Sequence, residues 1–89
     1  MQNEKMIHIY TTTGCPTCLM IKKELIKEGV EFIELNVMED EGAMELASAH
    51  NILSVPTVIY IKNGTEVKQL TTPTPNEVIT EYKEIFKND

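Results

Sequence analysis

Two cysteines in the tetrapeptide Cys15-Pro16-Thr17-Cys18 stand between an apolar run of strand length and a stretch of helical polarity, and no other feature constrains the fold as much. Residues 6–10 are apolar and rich in β-branched side chains, and Thr11-Thr12-Thr13-Gly14 ends the run, so a buried strand is expected to pass into a loop. From 16 to 28 the polarity turns helical. Cys18, Ile21 and Leu25 recur at i, i+3 and i+7, Lys22, Lys23, Lys27 and Glu28 supply a wet side, and Gly29 sits where a C-terminal cap belongs. Pro16 suits the first turn, where its missing N–H has no helical partner to lose. The cysteine pair is thereby expected at a helix N-terminus.

That placement carries chemistry. Thiol–disulfide exchange needs one thiolate exposed enough to attack and a second thiol able to release the trapped partner. Unpaired N–H groups and the positive end of the helix dipole favour the anion at Cys15, while Cys18 lies one turn inward. Cys15 is read as nucleophile and Cys18 as resolving thiol. The bland alternatives are two small core residues or half of a zinc site. A closed zinc site takes four ligands, and His8 and His50 are the remaining soft donors; both are read as structural, so no metal ligands are assigned.

The remaining chain continues the alternation of elements. Residues 31–37 alternate, with Ile33, Leu35 and Val37 on one face of a half-buried strand. Asp40 can cap a short helix through His50 with an inner stripe of Ala43, Leu46, Ala47 and His50, although Gly42 weakens it. Residues 57–61 form a continuous apolar strand, and Lys62-Asn63-Gly64-Thr65 is a hairpin turn because Asn and Gly tolerate positive φ. The returning strand, 66–70, is polar and suits a protected sheet edge. Thr74-Pro75-Asn76-Glu77 combines a capping box with Pro at the first helical position, opening a helix whose buried stripe is Val78, Tyr82, Ile85 and Phe86. The order is βαβαββα, an α/β arrangement in one domain spanning 1–89.

Fourteen acidic against eight basic residues give a net charge of −6, which disfavours nucleic acid and anionic membrane surfaces as partners. No apolar stretch approaches the roughly 18 residues of a membrane span, and residues 1–5 show no signal-peptide pattern. The expectation is a soluble, cytoplasmic monomer. With both cysteines in one motif of an untargeted chain, chemistry at the pair is favoured over a disulfide scaffold.

Several of these segments resemble a known superfamily. Ile7-His8-Ile9-Tyr10-Thr11, the Cys15–Cys18 motif and Gly29-Val30-Glu31-Phe32 resemble glutaredoxins and the glutaredoxin-like redoxins that serve ribonucleotide reductase. Ile52-Leu53-Ser54-Val55-Pro56-Thr57, with the strand and Lys62-Asn63-Gly64 after it, is similar to the thioredoxin segment that carries the cis-proline loop. The resemblance implies a thioredoxin-like fold, with a four-stranded mixed sheet flanked by three helices. It also implies a cis Val55-Pro56 bond facing the cysteines, with Val55 offering backbone groups to an extended substrate. Gly14, Pro16, Thr17, Val55 and Pro56 are the expected substrate-binding residues.

Departures from each pattern sharpen the expected activity. Glutaredoxins usually carry a basic residue shortly before the first cysteine, an aromatic inside the motif and a Gly-Cys-Asp-like turn after the hairpin. Those places hold Thr12, Thr17 and Gln69-Leu70-Thr71-Thr72. The tryptophan that thioredoxins place before the first cysteine is Gly14, their internal Gly-Pro is Pro16-Thr17, and their buried strand carboxylate falls on Ile9. Tyr10 is read as a core aromatic. The expected activity is reduction of protein disulfides by dithiol exchange without a bound cofactor, recharged by a thioredoxin-reductase-like flavoprotein drawing on NADPH. The alternatives are a glutathione-dependent glutaredoxin, an electron donor to ribonucleotide reductase, and, from another class, a metal or iron–sulfur module.

Overall fold

A computed structural model describes residues 4–87. Seven elements follow one another: β1 (Lys5–Thr11), α1 (Pro16–Lys27), β2 (Ile33–Asn36), α2 (Glu41–Ala49), β3 (Thr57–Lys62), β4 (Thr65–Thr71) and α3 (Pro75–Ile85). The order is the βαβαββα expected from the polarity pattern. The sheet runs β2-β1-β3-β4, with β1 and β2 parallel and the other pairs antiparallel. Parallel pairing of β1 and β2 needs a crossover, and α1 supplies it.

Local chemistry sets the joints. Gly29 takes φ +73° after α1, its N–H reaching the Ile26 carbonyl while Val30 N–H reaches that of Leu25, a Schellman closure that an L side chain would strain. Asn63 and Gly64 both take positive φ, 52° and 82°, and make the two-residue turn whose twist matches the β3–β4 hairpin. At the start of α3, Thr74 Oγ1 accepts from Glu77 N–H at 3.1 Å and Glu77 Oε1 accepts from Thr74 N–H at 2.8 Å, the reciprocal capping box.

Strand alternation then sorts the core into two clusters. Ile7, Ile9, Val58 and Tyr60 face α1 and α3, where Ile21, Leu25, Val78, Ile79 and Phe86 close over them. Tyr60 is buried, and its hydroxyl donates to the Val78 carbonyl at 2.7 Å, so the one polar atom it brings inside is satisfied. On the other face Tyr10 and Ile59 pack with Ala47 of α2, and Leu35, Val37, Ile52, Val55 and Ile61 are partly buried around them. Tyr10 is thus a core aromatic, as the sequence leads one to expect.

Three expectations need correction. β2 covers Ile33–Asn36 rather than 31–37, and Ile33 is 43% exposed instead of sharing a buried face with Leu35 and Val37. α2 is nine residues long, and the cluster it closes holds Tyr10, Leu35, Val37 and Ile59 but not Ile33. Leu46, expected in the inner stripe of α2, is also 43% exposed, because the helix approaches on its two small residues Ala43 and Ala47. His50 is exposed at the C-cap, with Nδ1 2.9 Å from the Leu46 carbonyl oxygen, and is no part of the stripe. In α3, Ile79 is buried with Val78 and Phe86, whereas Tyr82 and Ile85 are partly buried.

Candidate active site

β1 ends at Thr11, the chain turns through Thr12, Thr13 and Gly14, and α1 begins at Pro16. Gly14 takes φ +78°, a left-handed conformation that glycine adopts without steric penalty and that aims the next residue at the helix start. Cys15 is the N-cap of α1. Its Sγ accepts the N–H of Cys18 at 3.1 Å, the position a serine or aspartate oxygen fills in an ordinary cap. No acidic side chain stands in the first turn of α1, so the positive end of the dipole is not neutralised within the helix.

The two sulfurs are joined as a disulfide across a Cα–Cα separation of 5.3 Å. Their surroundings differ. Cys15 is partly exposed, whereas Cys18 is buried at 2% exposure on the inner face of α1. Pro16 and Thr17 are exposed between them, and Gly14 is exposed before them. A partner can therefore reach the first sulfur from solvent, and the second only through the first.

Val55-Pro56 is a cis peptide bond. The antiparallel register places Thr57 opposite Tyr10, so the segment before β3 lies at the same end of the sheet as the loop that follows β1. Pro56 is buried and its carbonyl accepts the N–H of Thr72 at 2.7 Å, while Thr57 Oγ1 donates to the Ser54 carbonyl at 2.7 Å. The N–H and C=O of Val55, half-buried, have no backbone partner among the described residues.

Two depressions meet at this end of the molecule, with Thr12 on the wall of both. One, of about 360 Å³, is lined by Val37, Met44, Ile52, Leu53 and Val55, and Leu53 there is 94% exposed. The other, of about 510 Å³, holds Cys15, Pro16, Cys18, Leu19, Lys22, Glu34 and Glu39.

The second depression contains residues that sequence reading left on the surface. Lys22 Nζ lies 2.9 and 3.0 Å from the two Glu34 carboxylate oxygens, and the buried Thr11 hydroxyl donates to Glu34 Oε2 at 2.7 Å. Partial burial works against the charged form of Glu34. The hydrogen bonds from Lys22 and Thr11 and the Lys22 charge outweigh it and hold the carboxyl below its ordinary value. One sequence signal was available: Lys22 follows Cys18 by four positions and so shares its helix face.

His8 sits on the opposite face, half-buried beside Ile33 and Ile59, and its basicity is lowered by burial and by His50. Among the described residues no helix is long and apolar enough to cross a membrane. Nor does any group of three or more His, Cys, Asp or Glu among them gather to hold a metal ion.

The family model for glutaredoxin matches residues 7–67, a span from β1 into β4 that contains the cysteine motif and the cis peptide bond. The chain belongs to the glutaredoxin family. Its backbone is also similar to solved thioredoxins. Thioredoxin f2 of Chlamydomonas reinhardtii superposes with a TM-score of 0.78 at 23% identity, covering 96% of this chain and 82% of that one. Thioredoxin from Trypanosoma brucei brucei gives 0.79 at 18% identity over 98% and 79% of the two chains. Mitochondrial thioredoxin 3 of Saccharomyces cerevisiae, in its oxidised form, gives 0.76 at 23% identity over 93% and 80%. This redoxin therefore has the thioredoxin-like fold expected from its sequence, a four-stranded mixed sheet with three helices, and its family is one of thiol oxidoreductases.

Proposed function

We propose that this glutaredoxin-family chain reduces disulfides in other proteins by dithiol exchange, with Cys15 as nucleophile and Cys18 as resolving thiol. The observation that carries the reading is the cap geometry: a partly exposed Cys15 Sγ that accepts a helix N–H, with buried Cys18 one turn behind it. In the reduced protein the same N–H stabilises a thiolate at Cys15.

That thiolate attacks one sulfur of the target disulfide, forming a mixed disulfide and expelling the other target sulfur as a thiolate, which takes a proton from water. The Cys18 thiol then loses its proton and attacks Cys15 Sγ, expelling the second target sulfur, which is protonated in turn. Two electrons and two protons pass to the target, and the Cys15–Cys18 disulfide remains. No bound cofactor is needed for either step.

Val55 supports the docking part of the reading. Its N–H and C=O, without a backbone partner among the described residues, lie at the loop end of the sheet and can pair with an extended target segment, while Pro56 holds the loop. Gly14, Pro16 and Thr17 form the exposed rim that the target meets beside Cys15.

For recharging, a flavoprotein thioredoxin reductase drawing on NADPH fits the absence of a basic residue at Thr12 and of an aromatic at Thr17. Family membership keeps glutathione as the second reading. A cytoplasmic location follows from this reading, because the dithiol form is maintained in a reducing compartment, and a monomer is the default for a chain of this size.

Insulin reduction followed through NADPH consumption tests the proposal, with thioredoxin reductase in one arm and glutathione plus its reductase in the other. Turnover is expected in the first arm and none with Cys15→Ser. Unchanged turnover in that variant removes the assigned nucleophile, and turnover confined to the glutathione arm reverses the recharging assignment.

A further inference from the structure

The cavity beside the cysteines is charged in an ordered way. Lys22 reaches it from α1, Glu34 and Asn36 from β2, and Glu39 from the turn after β2, where its carboxylate accepts from the Thr13 hydroxyl. Thr11 closes the arrangement from β1: its hydroxyl is buried and donates to the same Glu34 oxygen that Lys22 holds. Among the described residues lining this cavity the charged side chains are Lys22, Glu34 and Glu39, and Cys15 and Cys18 line it with them.

We propose that Lys22 and Glu34 are positioning residues that set how readily the cysteine pair ionises. Glu34, fixed by Thr11, binds the Lys22 ammonium and neutralises a cation that stands one helical turn beyond Cys18. The proposal rests on the reading of Cys15 as nucleophile. Its physical content is that two thirds of the cavity's charge is locked into one neutral pair. The thiolate at Cys15 is then stabilised by the helix N-terminus, without further pull from Lys22.

Removing either partner exposes the charge of the other, so the two removals must act in opposite directions. With Glu34→Gln the free ammonium favours the thiolate. With Lys22→Met the bare carboxylate, joined by Glu39, disfavours it. A unit charge roughly 10 Å from a thiol, through a partly wet path, moves its midpoint by about half a pH unit. Below the midpoint that is a change of about threefold in the rate of Cys15 alkylation, offset in part by the lower nucleophilicity of a more acidic thiol. A purely structural tie gives no such antisymmetry, because breaking it from either side loosens the same contact.

The test is the pH profile of Cys15 alkylation by iodoacetamide in the reduced 89-residue chain, read by mass spectrometry and paired with thermal melts. Glu34→Gln is expected to lower the midpoint by about half a unit and Lys22→Met to raise it by a similar amount. The double variant and Lys22→Arg should return close to wild type. Shifts in the same direction, or a double variant that keeps the shift of one single variant, overturn the proposal. A wild-type chain in which Cys15 is no more reactive than Cys18 removes the functional reading and the proposal with it. A normal wild-type profile that none of the variants moves removes the proposal alone.

Discussion

On the face of the sheet covered by α1 and α3, Ile7, Ile9, Val58 and Tyr60 close against Ile21, Leu25, Val78 and Phe86, whereas on the opposite face Tyr10 and Ile59 are the buried apolar sheet residues that cluster with Ala47 of α2. The first face is built from large aliphatic and aromatic side chains contributed by two helices. The second is closed by one short helix that approaches on alanines and leaves Ile33, Leu46 and Met44 exposed around it. Burial of apolar area dominates folding energetics. The α1/α3 face therefore carries most of the stability, and the α2 face, which borders the Val55 loop, is the part that can open at low cost.

Truncating one side chain on each face puts the largest strain on that comparison. Leu25→Ala removes a fully buried side chain and is expected to cost about 2–5 kcal/mol, whereas Leu46→Ala should stay within roughly 0.5 kcal/mol. Denaturant melts read both values. Equal losses at the two positions would erase the distinction between the faces.

Helix caps provide a second pair. Thr74→Ala removes one bond of the capping box of α3 and is expected to cost about 1 kcal/mol of global stability, since α3 is part of the larger core. The Asp40 carboxylate accepts from Gly42 N–H at 2.9 Å at the start of α2. Asp40→Ala should show itself chiefly as faster amide exchange within α2, with a smaller fall in the melting temperature. A larger global loss from the Asp40 variant would show that α2 unfolds together with the rest of the chain.

The smallest expected effects are in pH dependence, and the faces separate into two windows. Glu34 belongs to the α1 side, and its carboxyl lies below its ordinary 4.5 in the folded chain. Its contribution is therefore complete above 4.5 and is lost as pH falls through the folded value. His8 belongs to the other face, and its folded basicity lies below the ordinary 6.5. The unfolded chain binds that proton more readily, so stability is complete above 6.5 and declines as pH falls below it. Melts of Glu34→Gln should flatten the lower window, and melts of His8→Gln the upper one. A flattening in the wrong window contradicts the sign of that shift.

What could be read from the sequence follows the same division. Gly29, Asn63-Gly64 and the Thr74–Glu77 box announce themselves within a few residues, because backbone conformation and capping are local chemistry. The position of the cysteine pair was legible for the same reason. Ile33 and Leu46 were misplaced because their burial depends on which side chains a nine-residue helix brings against the sheet, which periodicity does not encode. Thr11, Lys22 and Glu34 lie up to 23 positions apart and meet through the parallel register that sets Tyr10 beside Leu35 and Thr11 beside Asn36. In the sequence they are a loop residue, a wet helix face and a strand charge.

The division of labour between the two sulfurs is tested most directly by trapping. The reduced Cys18→Ser chain, mixed with a disulfide-bonded target, should accumulate a one-to-one mixed disulfide through Cys15 that persists until added dithiol releases it, and Cys15→Ser should accumulate none. A mixed disulfide formed through Cys18 in the Cys15→Ser chain, at the rate seen for its counterpart, would contradict the assignment of the exposed sulfur as the one that attacks.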